Sequence, residues 1–359
     1  MAKVRFGVVG AGMMGREHIR NLNLLPEAEV AALADPTPAS LDRAVRTAAD
    51  PAPAVFNDVE AMLAGAELDA VIVASPNFTH RAVLERLFGT DLHILCEKPL
   101  CTTLEDSRWA GEQAAGRKAV FWTGMEYRFM PPAARFIEQV HGGRVGRLVT
   151  LFIREHRFPF LVKVNDWNRF SRNTGGTMVE KCCHFFDLMR LIVGAEPERV
   201  YCSGGQDVNH LDERYGGEAP DIIDNSFTTV DFRNGRRAVL DLNMFAEGAR
   251  NQEELTAVGD QARLDALIPD SDLVFSPRVP LGQPKTVTTE HVTVEAAALE
   301  AGSHHGATYY QLRAFLDAVA GRGPVQVTAD DGLRAVAMGV AAEISLREHR
   351  AVLMSELGF

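Results

Sequence analysis

The sequence predicts an α/β domain followed by an α+β domain: a doubly wound parallel sheet, then a largely antiparallel one. Three observations carry this expectation. Between residues 4 and 123 short apolar runs alternate strictly with helical segments, the rhythm of parallel strands joined by crossover helices. A Gly-x-Gly-x-x-Gly (Gly10, Gly12, Gly15) stands between the first strand and the first helix, where a doubly wound sheet places a dinucleotide loop. After about residue 125 strand-like runs follow one another without regular helices between them. The expected domains are 1–125, which carries the dinucleotide loop, and 126–359, with the C-terminal helices packing back on the first.

Taken in order, 4–9 reads as a strand, 13–24 as a helix and 29–34 as a second strand. Helical patterns over 41–48 and 59–63 lead to a third clear strand, 70–74. A helix over 79–88, a strand over 93–96, a helix over 104–115 and a strand over 119–123 complete the alternation. The second half begins with strands at 148–154, 199–203, 226–232, 236–243 and 255–258. Arg233-Asn234-Gly235 is the expected hairpin turn between two of them. A helix over 178–193 interrupts the run, and helices over 309–320 and 330–348 close the chain. The segment 269–284 reads as a surface loop or hairpin edge.

A chain of 359 residues, 46% apolar and 24% charged, has the composition of a globular protein with about two cores. A net charge of −11 argues against a nucleic-acid partner, whose backbone calls for a basic stripe. No apolar run approaches the roughly 20 residues that cross a bilayer, so no membrane partner is expected. Lys3 and Arg5 before an apolar stretch imitate a signal peptide, but the glycines follow a phosphate-loop pattern instead of a cleavage pattern. Five cysteines, an odd count, fit a reducing compartment, and a cytoplasmic location is expected.

In the glycine loop the first glycine permits the turn, the second lets the backbone approach a pyrophosphate, and the third lets helix and strand pack. The helix start at Met13 and Met14 then offers N–H groups to the anion. Asp35, closing the second strand in Ala-Asp-Pro, can accept from both ribose hydroxyls of NAD and repels a 2′-phosphate; capping the next turn is its bland alternative. Ser75 and Asn77 leave the third clear strand at its carboxyl end, where open sheets bind ligands, although Asn77 could equally cap the following helix. Lys98, in Glu97-Lys98-Pro99, ends a buried strand and is held by a proline-stiffened backbone. The candidate cofactor contacts are therefore Gly10, Gly12, Met13, Met14, Asp35, Ser75, Asn77, Glu97 and Lys98. The expected cofactor is NAD, with NADP less favoured.

The order and spacing of ADP, SPNFTH, CEKPL, EYRFMPP, GGTMVEKCCHFFD and HHGATYYQLRAFLDAV across nearly the whole chain resemble the Gfo/Idh/MocA oxidoreductases, the family of glucose–fructose oxidoreductase and inositol 2-dehydrogenase. The resemblance implies a Rossmann domain with a C-terminal open antiparallel β-sheet domain, an NAD(P) cofactor and a cis bond at Lys98–Pro99. It also implies a dehydrogenase acting on a secondary hydroxyl of a sugar, inositol or related polyol, working as a homodimer or homotetramer.

Glu180, His184 and Asp187 lie at i, i+4 and i+7, one stripe of the expected helix. A histidine between carboxylates suits a general base, and the resemblance carries the catalytic His to His184. Glu180 occupies the position of the family's catalytic Asp, one methylene longer. Lys98, His184 and Glu180 are the expected catalytic residues: Lys98 stabilising a developing alkoxide, His184 accepting the hydroxyl proton, Glu180 orienting substrate or tuning His184. Tyr127, Arg128, Trp167 and Asn168 join Glu180 and His184 as expected substrate contacts. Glu126, the altered Thr174-Gly175-Gly176 and the Trp167-Asn168-Arg169 spacing depart from the family pattern where it binds substrate, so they bear on substrate identity. His304-His305 read either as pocket rim or as helix-entry loop. A metal at Glu180 and His184 is not expected, because no third ligand motif accompanies them. The rival functions are an internal-redox glycosidase or epimerase that retains NAD, a non-catalytic NAD(P)-binding regulator, and a reductase of imines, aldehydes or ketones.

Overall fold

The computed structural model describes residues 3–359. The chain divides into two compact units, Met1–Phe129 with Glu295–Val336, and Met130–Val294 with Ala337–Phe359. The first unit opens with β1 (Val4–Val9), α1 (Met13–Leu22), β2 (Ala28–Ala34), α2 (Pro38–Val45), β3 (Ala54–Phe56) and α3 (Val59–Gly65). β4 (Ala70–Val73), α4 (His80–Leu87), β5 (His93–Glu97), α5 (Leu104–Ala115) and β6 (Phe121–Gly124) follow. All strand pairings are parallel and the order is β3-β2-β1-β4-β5-β6, the doubly wound arrangement that binds dinucleotides where the order reverses.

Strands covered on both faces need apolar residues without alternation; all four residues of β4 are buried, as are the last four of β1. Val9, Val71, Val73, Ile94 and Cys96 anchor one core face, and Val8, Ile19 and Leu33 the other. Caps fix the helix starts: Asp58 accepts from the Ala61 N–H at 2.7 Å and Thr103 from the Asp106 N–H at 3.1 Å.

The second unit holds α6 (Pro131–His141), β7 (Leu148–His156), α7 (Ser171–Thr174), α8 (Thr177–Glu180) and α9 (Cys183–Val193). Its strands continue as β8 (Pro197–Gly205), β9 (Asn225–Phe232), β10 (Arg237–Asn243), β11 (Glu253–Gly259), β12 (Ala262–Ile268), β13 (Asp272–Pro277) and β14 (Thr288–His291). With the terminal β15 (Val352–Leu353) they form one nine-stranded sheet, order β14-β13-β12-β11-β7-β10-β9-β8-β15. Pairing is antiparallel except between β7 and β10. Leu151, Ile153 and Glu155 alternate inward along β7, the period of a sheet with one covered face.

After β14 come α10 (Ala296–Ala301) and α11 (Ala307–Val319) of the first unit, then α12 (Ala329–Glu348), within which the boundary at 336/337 falls. Within the first unit α11 packs by Phe315 against Phe6 and Trp122.

One sequence expectation needs correction: the single helix expected over 178–193 is two, α8 and α9, separated at Lys181 and Cys182. Of the two readings of 269–284, surface loop or hairpin edge, the hairpin holds for β13, paired along its length with β12. The turn at 233–235 joins β9 to β10 as expected, with Gly235 at φ 77°.

Candidate active site

In the first unit the expected cofactor residues gather at the carboxyl ends of β1, β2, β4 and β5. Gly10 has φ 94°, and a side chain there would fall 2.5 Å from the Ser75 backbone nitrogen. Glycine is therefore required both by conformation and by the close approach of the β4 loop. Gly12 faces open space, with no atom within 4 Å of a side chain built there. The first bond of α1 runs from the Arg16 N–H to the Gly12 carbonyl, so the N–H groups of Met13 and Met14 have no acceptor in the helix. Asp35 holds the loop from the side, accepting from the Ala11 N–H and the Thr37 N–H, each at 2.8 Å. The turn-capping role is thus present, and a carboxylate keeps further acceptor sites for ribose hydroxyls.

Asn77 makes no helix cap. Its amide nitrogen is buried and meets no acceptor among the described residues. An open glycine before a helix start, an unmatched buried amide donor and a carboxylate closing β2 together fit a dinucleotide. Ser75 is held by the Thr79 hydroxyl, 2.7 Å away, and its carbonyl meets His80.

The Lys98 loop is braced from below. The Lys98–Pro99 peptide is cis. His80, fully buried, reaches the Pro99 carbonyl at 2.9 Å through Nδ1 and the Ser75 carbonyl at 3.1 Å through Nε2. One imidazole therefore ties the β4 loop to the β5 loop. Burial lowers its basicity, against the pull of the carbonyls. Glu97 is buried beside His18, Nε2 to Oε1 2.7 Å, and also takes the Lys98 N–H. Burial pushes this carboxyl up, but the His18 hydrogen bond and the charges of His18 and Lys98 hold it below the usual range.

After β6, Glu126 and Tyr127 are each 1% exposed. Arg128 donates to the Gln326 carbonyl at 2.7 Å and pairs with Asp331 at 3.4 Å, so its guanidinium binds the segment leading into α12.

In the second unit Gly175 and Gly176, at φ 84° and 91°, turn the chain into α8. Glu343 of α12 accepts from the Met178 N–H at 2.9 Å, and a side chain at Gly176 would overlap its carboxylate. Glu180 ends α8 and His184 lies in the first turn of α9; they are 7% and 1% exposed, and Asp187 is 1% exposed. They do not form a solvated face. At the break the Glu180 carbonyl accepts from the Cys183 thiol, and Lys181 turns inward to Glu155 of β7, Nζ to Oε1 2.7 Å. Asn168 is buried and donates to the Leu161 carbonyl at 3.0 Å, while the Trp167 carbonyl accepts from Asn173 at 2.9 Å. The structure thus brings together the cofactor set and Lys98 in one unit, and Glu180 and His184 in the other.

Sequence reasoning missed the supports: His18, His80, Glu17, Lys181 and Glu343. His18 and Glu17 sit on the inward face of α1, a signal readable from helical spacing. The pairing of Glu343 with Met178 joins residues 165 apart, and nothing local announces it.

Residues 4–125 match the model of an oxidoreductase family with an NAD-binding Rossmann fold, GFO_IDH_MocA, and residues 137–354 match that family's C-terminal alpha/beta domain. The myo-inositol 2-dehydrogenase of Thermotoga maritima is 27% identical over 99% of both chains. The rhizopine catabolism protein MocA of Rhizobium meliloti is 31% identical over 55% of this chain and 59% of its own length. A levoglucosan dehydrogenase solved with NADH and levoglucosan shares the fold, with a TM-score of 0.83 at 18% identity, over 98% of this chain and 99% of the other. This chain belongs to the Gfo/Idh/MocA oxidoreductase family.

Proposed function

From this membership we propose that the protein is an NAD-dependent dehydrogenase of a secondary hydroxyl in a sugar, inositol or related polyol. One observation carries the cofactor half: the Gly12 opening at the start of α1, with the unmatched Asn77 amide and the Asp35 carboxylate disposed around one loop system. Asp35 favours NAD over NADP, since a 2′-phosphate would meet its negative charge. The names of the relatives support the polyol half, an inositol dehydrogenase aligned end to end among them.

Met13 and Met14 would hold the pyrophosphate by backbone N–H, Asp35 the adenosine ribose, and Ser75 and Asn77 the middle of the dinucleotide, beside Glu97 and Lys98. Bound NAD supplies the hydride acceptor, and the protein supplies position and charge. Lys98 donates a hydrogen bond to the reacting oxygen and stabilises it as negative charge develops. His184 accepts the hydroxyl proton, and Glu180 orients the substrate or fixes the ring of His184. Tyr127, Arg128, Trp167 and Asn168 are proposed to shape the substrate region. Among these, Arg128 and Asn168 act through the segments they hold.

The test is NADH absorbance with NAD⁺, then NADP⁺, against a panel of inositols, aldoses and sugar acids. The expected result is NADH formation with at least one polyol and a preference for NAD⁺. Silence across the panel from protein that binds NAD would favour the internal-redox hydrolase or epimerase, and would overturn the dehydrogenase reading.

A further inference from the structure

The break between α8 and α9 has a wide turn at its centre. The Thr177 carbonyl takes the Lys181 N–H at 2.9 Å and also the Cys182 N–H at 3.2 Å, the second from five residues along the chain. The next turn opens tightly: the Cys182 carbonyl takes the Phe185 N–H at 2.9 Å and the Phe186 N–H at 3.0 Å. Cys182 itself stands at ψ −9°, roughly 30° from the helical value. A five-residue step of this kind is a π-bulge, an interruption at which helices kink and which is frequent at functional sites. Here Glu180 precedes the wide turn and His184 follows it.

The regular four-residue ladder is the default for a helix, so a wide turn calls for an anchor. The side chain in the turn is Lys181. Helical spacing puts it on one stripe with Met178, Phe185 and Leu188, all apolar and buried. Lys181 is itself 4% exposed and reaches Glu155 Oε1 on β7 at 2.7 Å, its ammonium 5.6 Å from the centre of the Phe185 ring. Glu155 is fully buried and follows Leu151 and Ile153 along the covered face of β7. Arg157 Nη1 also reaches Glu155 Oε1, at 3.3 Å, and Glu253 lies opposite in the β7–β11 register. Apolar side chains commonly replace a buried ion pair without loss of stability, because its attraction little more than offsets its desolvation. Position explains this pair better than stability does: a short bond to a fixed strand draws the backbone at Lys181 toward the sheet.

We propose that Glu155 and Lys181 are positioning residues for the acid–base machinery: their bond holds the wide turn open, and the turn sets where α8 presents Glu180 relative to His184 in α9. The proposal rests on the reading of Glu180 and His184 as catalytic residues. It goes further by naming what fixes one against the other.

The deciding variant is Glu155→Gln combined with Lys181→Met, in the full chain. It removes one charge of each sign and keeps the bulk of both side chains, leaving Arg157 and Glu253 as one base and one acid. Its crystal structure should show the Cys182 N–H returned to the Met178 carbonyl, closing one helix over residues 177–193, with a melting temperature equal to that of the wild type or higher. A wide turn unchanged without the pair would overturn the proposal. So would a double variant that melts well below the wild type or does not fold, since the pair would then be a support of the core. With a polyol that the wild type oxidises, kcat should fall at least about tenfold while KM for NAD⁺ holds; an unchanged kcat in a variant whose turn has closed would equally overturn it. The crystal structure decides without substrate, so a silent panel would sink the polyol reading alone.

Discussion

At the scale of the residue, Asp35 is the carboxylate that holds the glycine loop and that is proposed to select NAD. Its two oxygens accept from the Ala11 and Thr37 N–H groups, so the glycine loop is fixed before any cofactor arrives, and its charge disfavours a 2′-phosphate. Asp35→Ser should therefore lower kcat/KM for NAD⁺ by about tenfold and narrow the gap to NADP⁺. Steady-state kinetics with the two cofactors read this directly, and an unchanged ratio would reduce Asp35 to a turn cap. His80 lies within hydrogen-bond distance of both the Ser75 and Pro99 carbonyls, which makes the positions of Asn77 and Lys98 one structural problem.

At the scale of the element, the short helix α8 ends in Glu180, one of the proposed catalytic residues. Its start is held by Glu343 at the Met178 N–H, and α12 lies so close that a side chain at Gly339 would fall 2.7 Å from the Met178 carbonyl. Removing the acceptor leaves an N–H without its cap, typically worth about 1 kcal/mol. Glu343→Ala should lower kcat by roughly tenfold while NAD affinity holds, and Glu343→Gln, which keeps an acceptor, should restore it. Equal loss in both variants would tie Glu343 to charge instead of to position.

These elements also mark how far the sequence could be read. The alternation of β1 to β6 was legible because strands covered on both faces must be apolar, and the glycine spacing because only that spacing lets backbone and helix approach. The helix that holds His184 and Asp187 was legible by its period. The end of a separate helix at Glu180 was not, since the inward turn of Lys181 at the break goes to Glu155 on a distant strand. β13 was legible only as a loop or hairpin edge, because its own residues are half exposed.

At the scale of the whole molecule, buried carboxyls set the response to pH. Burial, then the charge of Glu155, pushes Glu253 up to about 7; burial does the same to Glu343, and burial with Glu97 to Glu126. Each stands above the ordinary 4.5. The unfolded chain therefore releases these protons first, and the stability they confer is full below 4.5 and lost as pH rises through about 7. Glu17 runs the other way. Although burial raises it, the hydrogen bonds from His304 and Thr308 bring it down to about 2, so its contribution is present above 4.5 and lost as pH falls toward 2. The melting temperature should accordingly fall between about pH 5 and pH 8. Glu253→Gln, opposite Glu155 in the β7–β11 register, should recover about 1–2 kcal/mol at the upper end. Calorimetric scans across that range check it, and a pH dependence identical in the variant would contradict it.

The central proposal is that Lys98 and His184 each serve the oxidation of a hydroxyl by NAD⁺. The most direct measurement is single-turnover NADH formation with the polyol that the wild type oxidises, repeated in Lys98→Ala and His184→Ala under saturating NAD⁺. The account predicts a loss of at least ~10²-fold in each variant, with NAD⁺ still bound. Full-rate NADH formation in Lys98→Ala would contradict it.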